Sequence, residues 1–265
     1  MMKANSLTGR VALVTGGASG IGRAACLAFA AQGAKVVVAD INAEGGRETV
    51  RRIGRDATFV RLDVADEAQW RDCLAITLSS YGKLNVLANV AGIGTSGDFE
   101  DLELGTWNRV FAVNSTGPFL GCKHSVRAMK TNGEDCAIVN VASIAAISAA
   151  PDIIAYCASK SAVRMLTRGV ALYCAGKGYK IRCNSINPTY VDSEMLDPVA
   201  ARYGDRDAML AAMSRLVPLG RLAKPEDIAD SILFLASEAA AMITATELNI
   251  DGGQTAGIPP SHYDR

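Results

Sequence analysis

Tyr156 and Lys160 lie four positions apart in a stretch that predicts an α-helix. Residues i and i+4 share one helix face, so the phenol and the ammonium can point into the same cleft. A phenol with a pKa of about 10 is a poor base near neutral pH, but a neighbouring positive charge stabilises the phenolate. The ammonium, together with the positive charge of a bound cofactor, is expected to lower the tyrosine pKa so that the phenol can exchange a proton with an alcohol or ketone oxygen. The spacing alone also fits a surface pair.

Two further polar residues extend this candidate site. Ser143 follows the fifth predicted strand, 13 residues before Tyr156, and its hydroxyl can hydrogen-bond an oxygen on which charge develops. Asn114 lies inside a long predicted helix, where asparagine is unfavourable. It is expected to mark a local bend that supports a water molecule and Lys160.

A glycine-rich turn follows the first predicted strand, from Thr15 to Gly22. Gly16, Gly20 and Gly22 let the chain turn tightly and let backbone N–H groups approach a pyrophosphate at the N-terminus of the next helix. The spacing G-x-x-x-G-x-G differs from the commoner dinucleotide fingerprint, so a purely structural turn is the alternative. Its position between a clear strand and a clear helix favours dinucleotide binding.

Acidic residues end the next two predicted strands. Asp40 can accept hydrogen bonds from the adenosine ribose hydroxyls and would repel the 2′-phosphate of NADP. Because neither Gly17 nor Ile41 is basic, the sequence favours NAD over NADP. Asp63 and Val64 are placed to hold the adenine, although an acid at this position more often caps the following helix.

Short apolar runs alternate with helical patterns along the chain, and several runs are apolar at consecutive positions, as in strands covered on both faces. The predicted strands are Val11–Thr15, Lys35–Ala39, Thr58–Leu62, Val86–Asn89, Ala137–Val141, Ile181–Ile186 and Glu247–Ile250. The predicted helices are Ile21–Gln32, Ala43–Ile53, Glu67–Ser80, Thr106–Lys130, Ala155–Tyr173 and Pro225–Ser237. The pattern predicts an α/β fold: a Rossmann-type, doubly wound parallel sheet of about seven strands with helices on both faces.

Residues 1–265 are expected to form a single dinucleotide-binding and catalytic domain. The segment Tyr190–Leu219 interrupts the regular alternation with Pro198, Gly204, Pro218 and two short helical patterns. It predicts an inserted substrate loop near 190–219 that forms a lid or pocket wall.

Composition excludes several classes of function. Acidic and basic residues balance at 27 each, without the basic excess typical of nucleic-acid-binding proteins. No apolar run is long enough to span a membrane and no apolar targeting segment precedes the first strand, so a cytoplasmic location is expected. The seven cysteines form no Cys-x-x-Cys pair and predict buried thiols rather than disulfides. With two histidines, a zinc site is hard to build and no metal is expected.

Taken together, these residues resemble the short-chain dehydrogenase/reductase family over nearly the whole chain, including Asp251-Gly252-Gly253 after the last strand. The resemblance implies that Tyr156 is the acid/base and that Ser143 orients the substrate carbonyl. It implies that Lys160 binds the nicotinamide ribose and that Asn114 helps to hold a proton-relay water. It also implies a homotetramer in which long helices pair across subunits.

The glycine turn, the strand ends and the resemblance together give a set of expected NAD contacts. They are Gly16, Ser19, Gly20, Ile21, Gly22, Asp40, Ile41, Asp63, Val64, Asn89, Ala91, Gly92, Tyr156, Lys160, Pro188, Val191 and Ser193. Two departures from the family pattern stand out. Val90 replaces the second asparagine of Asn-Asn-Ala-Gly, and Thr189 replaces the glycine of Pro-Gly. Thr189 adds bulk near the nicotinamide and alters the expected shape of the pocket.

The segment Gly178–Ile186 and the pair Ile41-Asn42 are locally similar to bacterial hydroxysteroid dehydrogenases. Ser143, Ile153, Tyr190 and Met195 are candidate substrate contacts, and the apolar pocket wall suits a small cyclic or aromatic substrate. The expected function is NAD(H)-dependent interconversion of a secondary alcohol and a ketone. The alternatives are a 3-oxoacyl-carrier-protein reductase, which usually uses NADPH, and a non-catalytic NAD-binding sensor or scaffold.

Overall fold

Seven parallel strands form one sheet in the computed structural model, which describes residues 5–257. The strands are β1 (Val11–Thr15), β2 (Lys35–Asp40), β3 (Ala57–Arg61), β4 (Val86–Asn89), β5 (Cys136–Val141), β6 (Ile181–Pro188) and β7 (Glu247–Ile250). Their order is β3-β2-β1-β4-β5-β6-β7. The order reverses between β1 and β4, and ligands bind at such a switch point outside the carboxyl ends of the strands. The predicted α/β fold is confirmed.

Helices cover both faces of the sheet. They are α1 (Gly20–Ala31), α2 (Ala43–Ile53), α3 (Glu67–Tyr81), α4 (Leu104–Phe111), α5 (Gly117–Met129), α6 (Ile154–Gly176), α7 (Asp197–Tyr203), α8 (Arg206–Ser214) and α9 (Pro225–Ala236). The predicted bounds of β1, β4, β7 and α2 are confirmed, and most other bounds move by one to three residues. No helix among residues 5–257 has the length and apolarity needed to cross a membrane.

Strand β1 shows why the sequence is apolar at consecutive positions. Its alternate residues serve two cores: Ala12 packs in the cluster that contains Phe29 of α1, and Leu13 packs in the cluster that contains Trp70 of α3. Because both faces of the strand are covered, none of its residues faces solvent, and the usual alternation of apolar and polar residues is absent. All seven cysteines are buried free thiols, as the sequence predicts.

The prediction of one helix over Thr106–Lys130 is wrong. Helices α4 and α5 are separated by a π-helical turn, Ala112–Thr116, in the middle of which lies the buried Asn114. A π turn inserts one residue into the helix and weakens its regular hydrogen bonding. Its position agrees with the local bend that the mid-helix asparagine predicts.

The segment 190–219, which we call the lid, leaves the sheet after β6 and returns to it before α9. It contains a short 3-10 turn, Glu194–Leu196, followed by the helices α7 and α8. Val191 forms an isolated parallel bridge with Ala223. The base of the lid therefore stays attached to the sheet while its helices extend from the carboxyl edge.

We expect Arg182→Met to lower the free energy of unfolding by about 2–4 kcal/mol. The partly buried guanidinium donates to the carbonyls of Leu235 at 2.8 Å, Ser237 at 3.0 Å and Ile243 at 3.3 Å. Without it, acceptors at the end of α9 and in the segment before β7 lose their donor. Urea denaturation measures the loss. Arg182→Lys keeps the charge but cannot donate to all three carbonyls, so its free energy of unfolding should lie between those of wild type and Arg182→Met. Equal stability of all three proteins would contradict a stabilising role for these hydrogen bonds.

Candidate active site

The fold brings Tyr156, Lys160, Ser143 and Asn114 together at the carboxyl edge of the sheet. Lys160 is 3% exposed, its Nζ donates to the carbonyl of Val141 at 2.8 Å, and it lies 5.7 Å from the centre of the Tyr156 ring. Both residues come from α6, as the i, i+4 spacing predicts. Ser143 is buried at the end of β5, where its Oγ accepts from the N–H of Ala145 at 3.1 Å.

Because Gly92 has no side chain, Asn114 and Lys160 can both lie close to its backbone. A Cβ built on Gly92 would come within 3.3 Å of both Asn114 Oδ1 and Lys160 Nζ. The glycine after β4 therefore gives the two side chains close access to the backbone from the π turn and from α6.

The side chain of Asn114 is fully engaged by protein atoms. Its Oδ1 accepts from the N–H of Ile93 at 2.9 Å, and its Nδ2 donates to the carbonyl of Ile93 at 2.9 Å and to Ser159 Oγ at 3.1 Å. Its side chain therefore fixes the loop after β4 against α6. The expected role of Asn114 in holding a water molecule stays a prediction.

Ser159 is a positioning residue that the sequence analysis missed. Its hydroxyl donates to the carbonyl of Tyr156 at 2.8 Å and accepts from Asn114, while its own carbonyl accepts from Ser115 Oγ at 3.0 Å. It therefore links the π turn to the helix that carries Tyr156. No sequence signal marks it, because a serine inside a helix has many alternative partners.

Burial governs the ionisation of the central pair. Desolvation raises the pKa of Tyr156, and a hydrogen bond with the Ser143 side chain lowers it by a smaller amount. Desolvation also lowers the pKa of Lys160 to about 8. These shifts belong to the polypeptide alone; the expected lowering of the tyrosine pKa requires the positively charged nicotinamide of NAD as well as the ammonium, and it stays a prediction. Phenolate formation needs a further positive charge in the cleft.

The glycine turn has the shape of an anion cradle. Gly16 has φ +72°, and a Cβ on it would lie 2.9 Å from the backbone of Ala91. A Cβ on Gly22 would lie 2.0 Å from the carbonyl oxygen of Gly16. Ser19 precedes α1 without capping it through its side chain, and the first turn of α1 holds no acid. The open N–H groups, including that of Ile21, suit a pyrophosphate.

Thr15 joins this cradle to the loop after β4, a role that the sequence analysis did not identify. Its Oγ1 accepts from the N–H groups of Val90 at 3.0 Å and Ala91 at 3.1 Å. One hydroxyl thus ties the two sides of the switch point together.

Asp40 braces the same turn from the end of β2. Its carboxylate accepts from the N–H of Ala18 at 3.0 Å and from the N–H of Asn42 at 2.8 Å. Ile41 beside it is exposed. Arg23 is tied down, because it donates to the carbonyl of Ala18 and to Thr49 Oγ1. The Asp40 carboxylate is therefore fixed beside the glycine turn.

The side chains of the residues after β3 and at the end of β4 have different surroundings. Asp63 accepts from the N–H of Ala65 at 3.0 Å and leaves helix capping to Asp66, so its alternative role as the cap of α3 is wrong. Val64 is buried. The side chain of Asn89 points into the sheet and donates to Asn140 Oδ1 at 2.8 Å; a cofactor contact from it would use its backbone.

The lid closes over the cradle from the β6 side. Pro188 ends β6, and Val191, three residues further along the chain, is buried. A Cβ on Gly20 would lie 3.4 Å from Ser193 Cβ and 3.5 Å from Glu194 Oε2. The expected pyrophosphate and nicotinamide contacts are thus brought together, although they are far apart in the sequence.

The four candidate substrate contacts line the cleft unevenly. Ser143 is buried, Ile153 lies directly before α6, and Tyr190 is half-buried, whereas Met195 is 48% exposed. A cavity of about 330 Å³ beside Gly20 and Ser193 contains none of the four and is lined mainly by charged residues. This cavity is therefore distinct from the apolar pocket wall that the sequence predicts, which stays a prediction.

A family model described as enoyl-(acyl carrier protein) reductase matches residues 16–255. The 3-beta-hydroxysteroid dehydrogenase of Comamonas testosteroni is 39% identical over 93% of this chain and 96% of its own length.

The chain belongs to the short-chain dehydrogenase/reductase family.

Other relatives in this family are alcohol dehydrogenases. The 2,5-dichloro-2,5-cyclohexadiene-1,4-diol dehydrogenase of Sphingobium indicum is 40% identical over 96% of this chain and 100% of its own. The NADP-dependent (R)-specific alcohol dehydrogenase of Lentilactobacillus kefiri is 35% identical, covering 94% and 98%.

A solved short-chain dehydrogenase/reductase structure confirms the same fold. The 3-ketoacyl-(acyl-carrier-protein) reductase from Brucella melitensis, complexed with NADH, is 35% identical, covers 94% of this chain and 100% of its own, and superposes with a TM-score of 0.87. With the assembled Tyr156, Lys160 and Ser143, these comparisons identify the chain as a nicotinamide-dependent oxidoreductase that acts on secondary alcohols or ketones.

Proposed function

We propose that this short-chain dehydrogenase uses NAD(H) and interconverts a cyclic secondary alcohol with its ketone. The observation that carries the proposal is the convergence of Tyr156, Lys160 and Ser143 beside a glycine cradle whose ribose side is closed by Asp40. In a non-catalytic sensor, nothing would require a tyrosine, a buried lysine and a serine to meet at the cradle.

The residues fit a dinucleotide. The N-terminus of α1 and Gly20 would hold the pyrophosphate, Asp40 the adenosine ribose, and Asp63 with Val64 the adenine. Val191 and Ser193 would hold the nicotinamide side. NAD, when bound, supplies the hydride acceptor and a positive charge in the cleft.

Proton transfer then falls to Tyr156. In oxidation, its phenolate oxygen takes the hydroxyl proton of the alcohol while Ser143 donates a hydrogen bond to the same substrate oxygen. Burial holds the phenol neutral until positive charge accumulates beside it. Because its pKa of about 8 keeps it mostly protonated at pH 7, the Lys160 ammonium supplies part of that charge.

A ring substrate fits the relatives' names and this cleft. A 3-beta-hydroxysteroid dehydrogenase and a cyclohexadiene-diol dehydrogenase both act, by name, on ring hydroxyls. In this chain Ile153 and Tyr190, the expected substrate contacts beside Ser143, are both half-buried.

The test follows absorbance at the NADH band with purified enzyme and either NAD or NADP. Hydroxysteroids, cyclohexanols, cyclic diols and acyclic alcohols are compared. Reduction of NAD with a cyclic alcohol supports the proposal. Preference for acyclic alcohols refutes the ring substrate, and preference for NADP refutes the cofactor.

Asp40→Asn is expected to lower the ratio of kcat/KM for NAD to that for NADP by about tenfold, because the repulsion of a 2′-phosphate is lost. Asparagine is preferred to alanine because it keeps one of the two oxygens that accept from the N–H groups of Ala18 and Asn42. Glu44→Gln removes a nearby exposed charge in the first turn of α2 and should leave the ratio unchanged. Equal ratios for all three proteins would place the ribose elsewhere.

A second candidate, a 3-oxoacyl-carrier-protein reductase, is favoured by the structural similarity to the Brucella melitensis reductase. Acetoacetyl thioesters with NADPH and NADH are the diagnostic substrates. Faster turnover of the thioester with NADPH than of any cyclic ketone with NADH would establish this function instead.

We also propose that the enzyme assembles as a homotetramer through α4–α5 and α6. These helices expose large apolar side chains: Leu104 at 70%, Phe119 at 46%, Met165 at 64% and Leu172 at 69%. Light scattering should give four times the chain mass of 27.8 kDa. Replacing Met165 and Leu172 with glutamate should lower that mass, and a monomeric wild type would refute the assembly.

A further inference from the structure

Thr189 departs from the family's glycine, and the structure gives its side chain a partner. The residue is 8% exposed and follows β6 directly. Its N–H donates to the carbonyl of Ile250 at 3.1 Å, which extends the pairing of β6 with β7. Its hydroxyl donates to Gln254 Oε1. A glycine at this position could make the first hydrogen bond but not the second.

Gln254 is carried by a rigid turn. The buried carboxylate of Asp251 accepts from the N–H of Gly253 at 2.9 Å, from the N–H of Thr255 at 2.9 Å and from Thr255 Oγ1 at 2.5 Å. The N–H of Gln254 itself donates to the carbonyl of Asp251 at 3.1 Å. We call residues 251–255 the C-terminal turn.

The same turn holds the far end of the lid. The N–H of Leu219 donates to the carbonyl of Gly252 at 3.2 Å. A Cβ on Gly252 would lie 2.5 Å from Val217 Cγ1, so the lid packs directly on this glycine. The C-terminal turn therefore contacts the chain where it enters the lid, at Thr189, and where it leaves.

The residues that follow Thr189 are held on their other side as well. The carbonyl of Tyr190 accepts from the N–H of Ala223 at 3.1 Å, and the N–H of Asp192 donates to the carbonyl of Ala223 at 3.0 Å. Segment 189–192 is thus held between Gln254 and Ala223. It carries Tyr190, the expected substrate contact, and Val191, the expected nicotinamide contact.

We propose that the hydrogen bond between Thr189 and Gln254 is a positioning device that sets the lid entrance for binding of the cyclic alcohol and NADH. The proposal rests on the proposed function, since Tyr190 and Val191 matter only if they meet those ligands. The bond acts on binding and not on the chemical step, because Tyr156, Lys160 and Ser143 lie on α6 and at the end of β5.

Thr189→Val tests this without changing the branched shape of the side chain. Losing one hydrogen bond should raise KM for the alcohol and Kd for NADH by about fivefold each, with kcat within about twofold of wild type. Gln254→Leu should match it. The double variant should be no worse than either single variant, because both remove the same bond.

Thr189→Ser keeps the hydroxyl donor and Gln254→Glu keeps the oxygen acceptor. Both variants should therefore have KM and Kd within about twofold of wild type. Trypsin should cleave the lid of Thr189→Val faster than that of wild type, at Arg202, Arg206 or Arg215. A proportional fall in kcat, additive single effects, or unchanged KM and Kd would each overturn the proposal.

The outcome is separable from failure of the proposed function. If wild type oxidises no alcohol, the proposed function fails. NADH fluorescence titration and tryptic cleavage then still test whether the hydrogen bond between Thr189 and Gln254 positions the lid. If wild type oxidises a cyclic alcohol but Thr189→Val has unchanged KM and Kd, only the positioning role fails.

Discussion

Tyr156→Phe is expected to reduce kcat by about 10²–10⁴-fold while Kd for NADH changes by less than about twofold. The phenylalanine keeps the ring that packs in the cleft and removes only the oxygen that exchanges the proton. Stopped-flow measurement of single-turnover rates, combined with fluorescence titration of NADH, separates the two effects.

Tyr173→Phe is the matched control, since Tyr173 lies on the same helix and is 55% exposed. It should retain wild-type rates. Rapid turnover by Tyr156→Phe with a cyclic alcohol would show that another group takes the proton, and Ser143 would then be the next residue to test.

Lys160→Met is expected to have opposite effects on activity and stability. Activity should fall by about 10²–10⁴-fold, because the cleft loses its positive charge. The free energy of unfolding at pH 7 should rise by about 1–3 kcal/mol, because burial of the ammonium opposes folding. Loss of the hydrogen bond to Val141 offsets part of this gain.

The pH dependence follows from the lowered pKa of Lys160. The folded protein binds this proton with a pKa of about 8, whereas an unperturbed lysine has a pKa of 10.5. The destabilisation is therefore complete below about pH 8 and is relieved as pH rises to 10.5. The stability difference between Lys160→Met and wild type should shrink over that range in urea titrations. Lys177→Met, which removes an exposed charge at the end of the same helix, should show no such trend.

The sequence predicts the sheet well because burial on both faces leaves a direct trace in residue type. The consecutive apolar residues of β1 and β4 fix both strands, including their bounds. Tyr156 and Lys160 are equally predictable, because their spacing alone places them on one helix face. These features depend on local periodicity, which a sequence displays.

Features that depend on tertiary contacts escape the sequence. The π turn keeps a helical hydrophobic pattern, and only Asn114 hints at it. Thr15 and Ser159 resemble many other hydroxyl residues until their partners are known. The desolvation that raises the pKa of Tyr156 in the polypeptide depends on how deeply the fold buries the cleft, which residue types do not reveal.

The reactivity of the seven buried thiols can be used to measure how fast the structure of this enzyme opens. Cys26 belongs to one core, while Cys73, Cys122, Cys136, Cys174 and Cys183 belong to the core on the opposite face of the sheet. An alkylating reagent can modify each sulfur only when its layer separates from the strands. Mass spectrometry of partly alkylated protein would therefore measure the rate at which the cysteines on each face of the sheet become exposed. The faster rate would show which helical layer separates first.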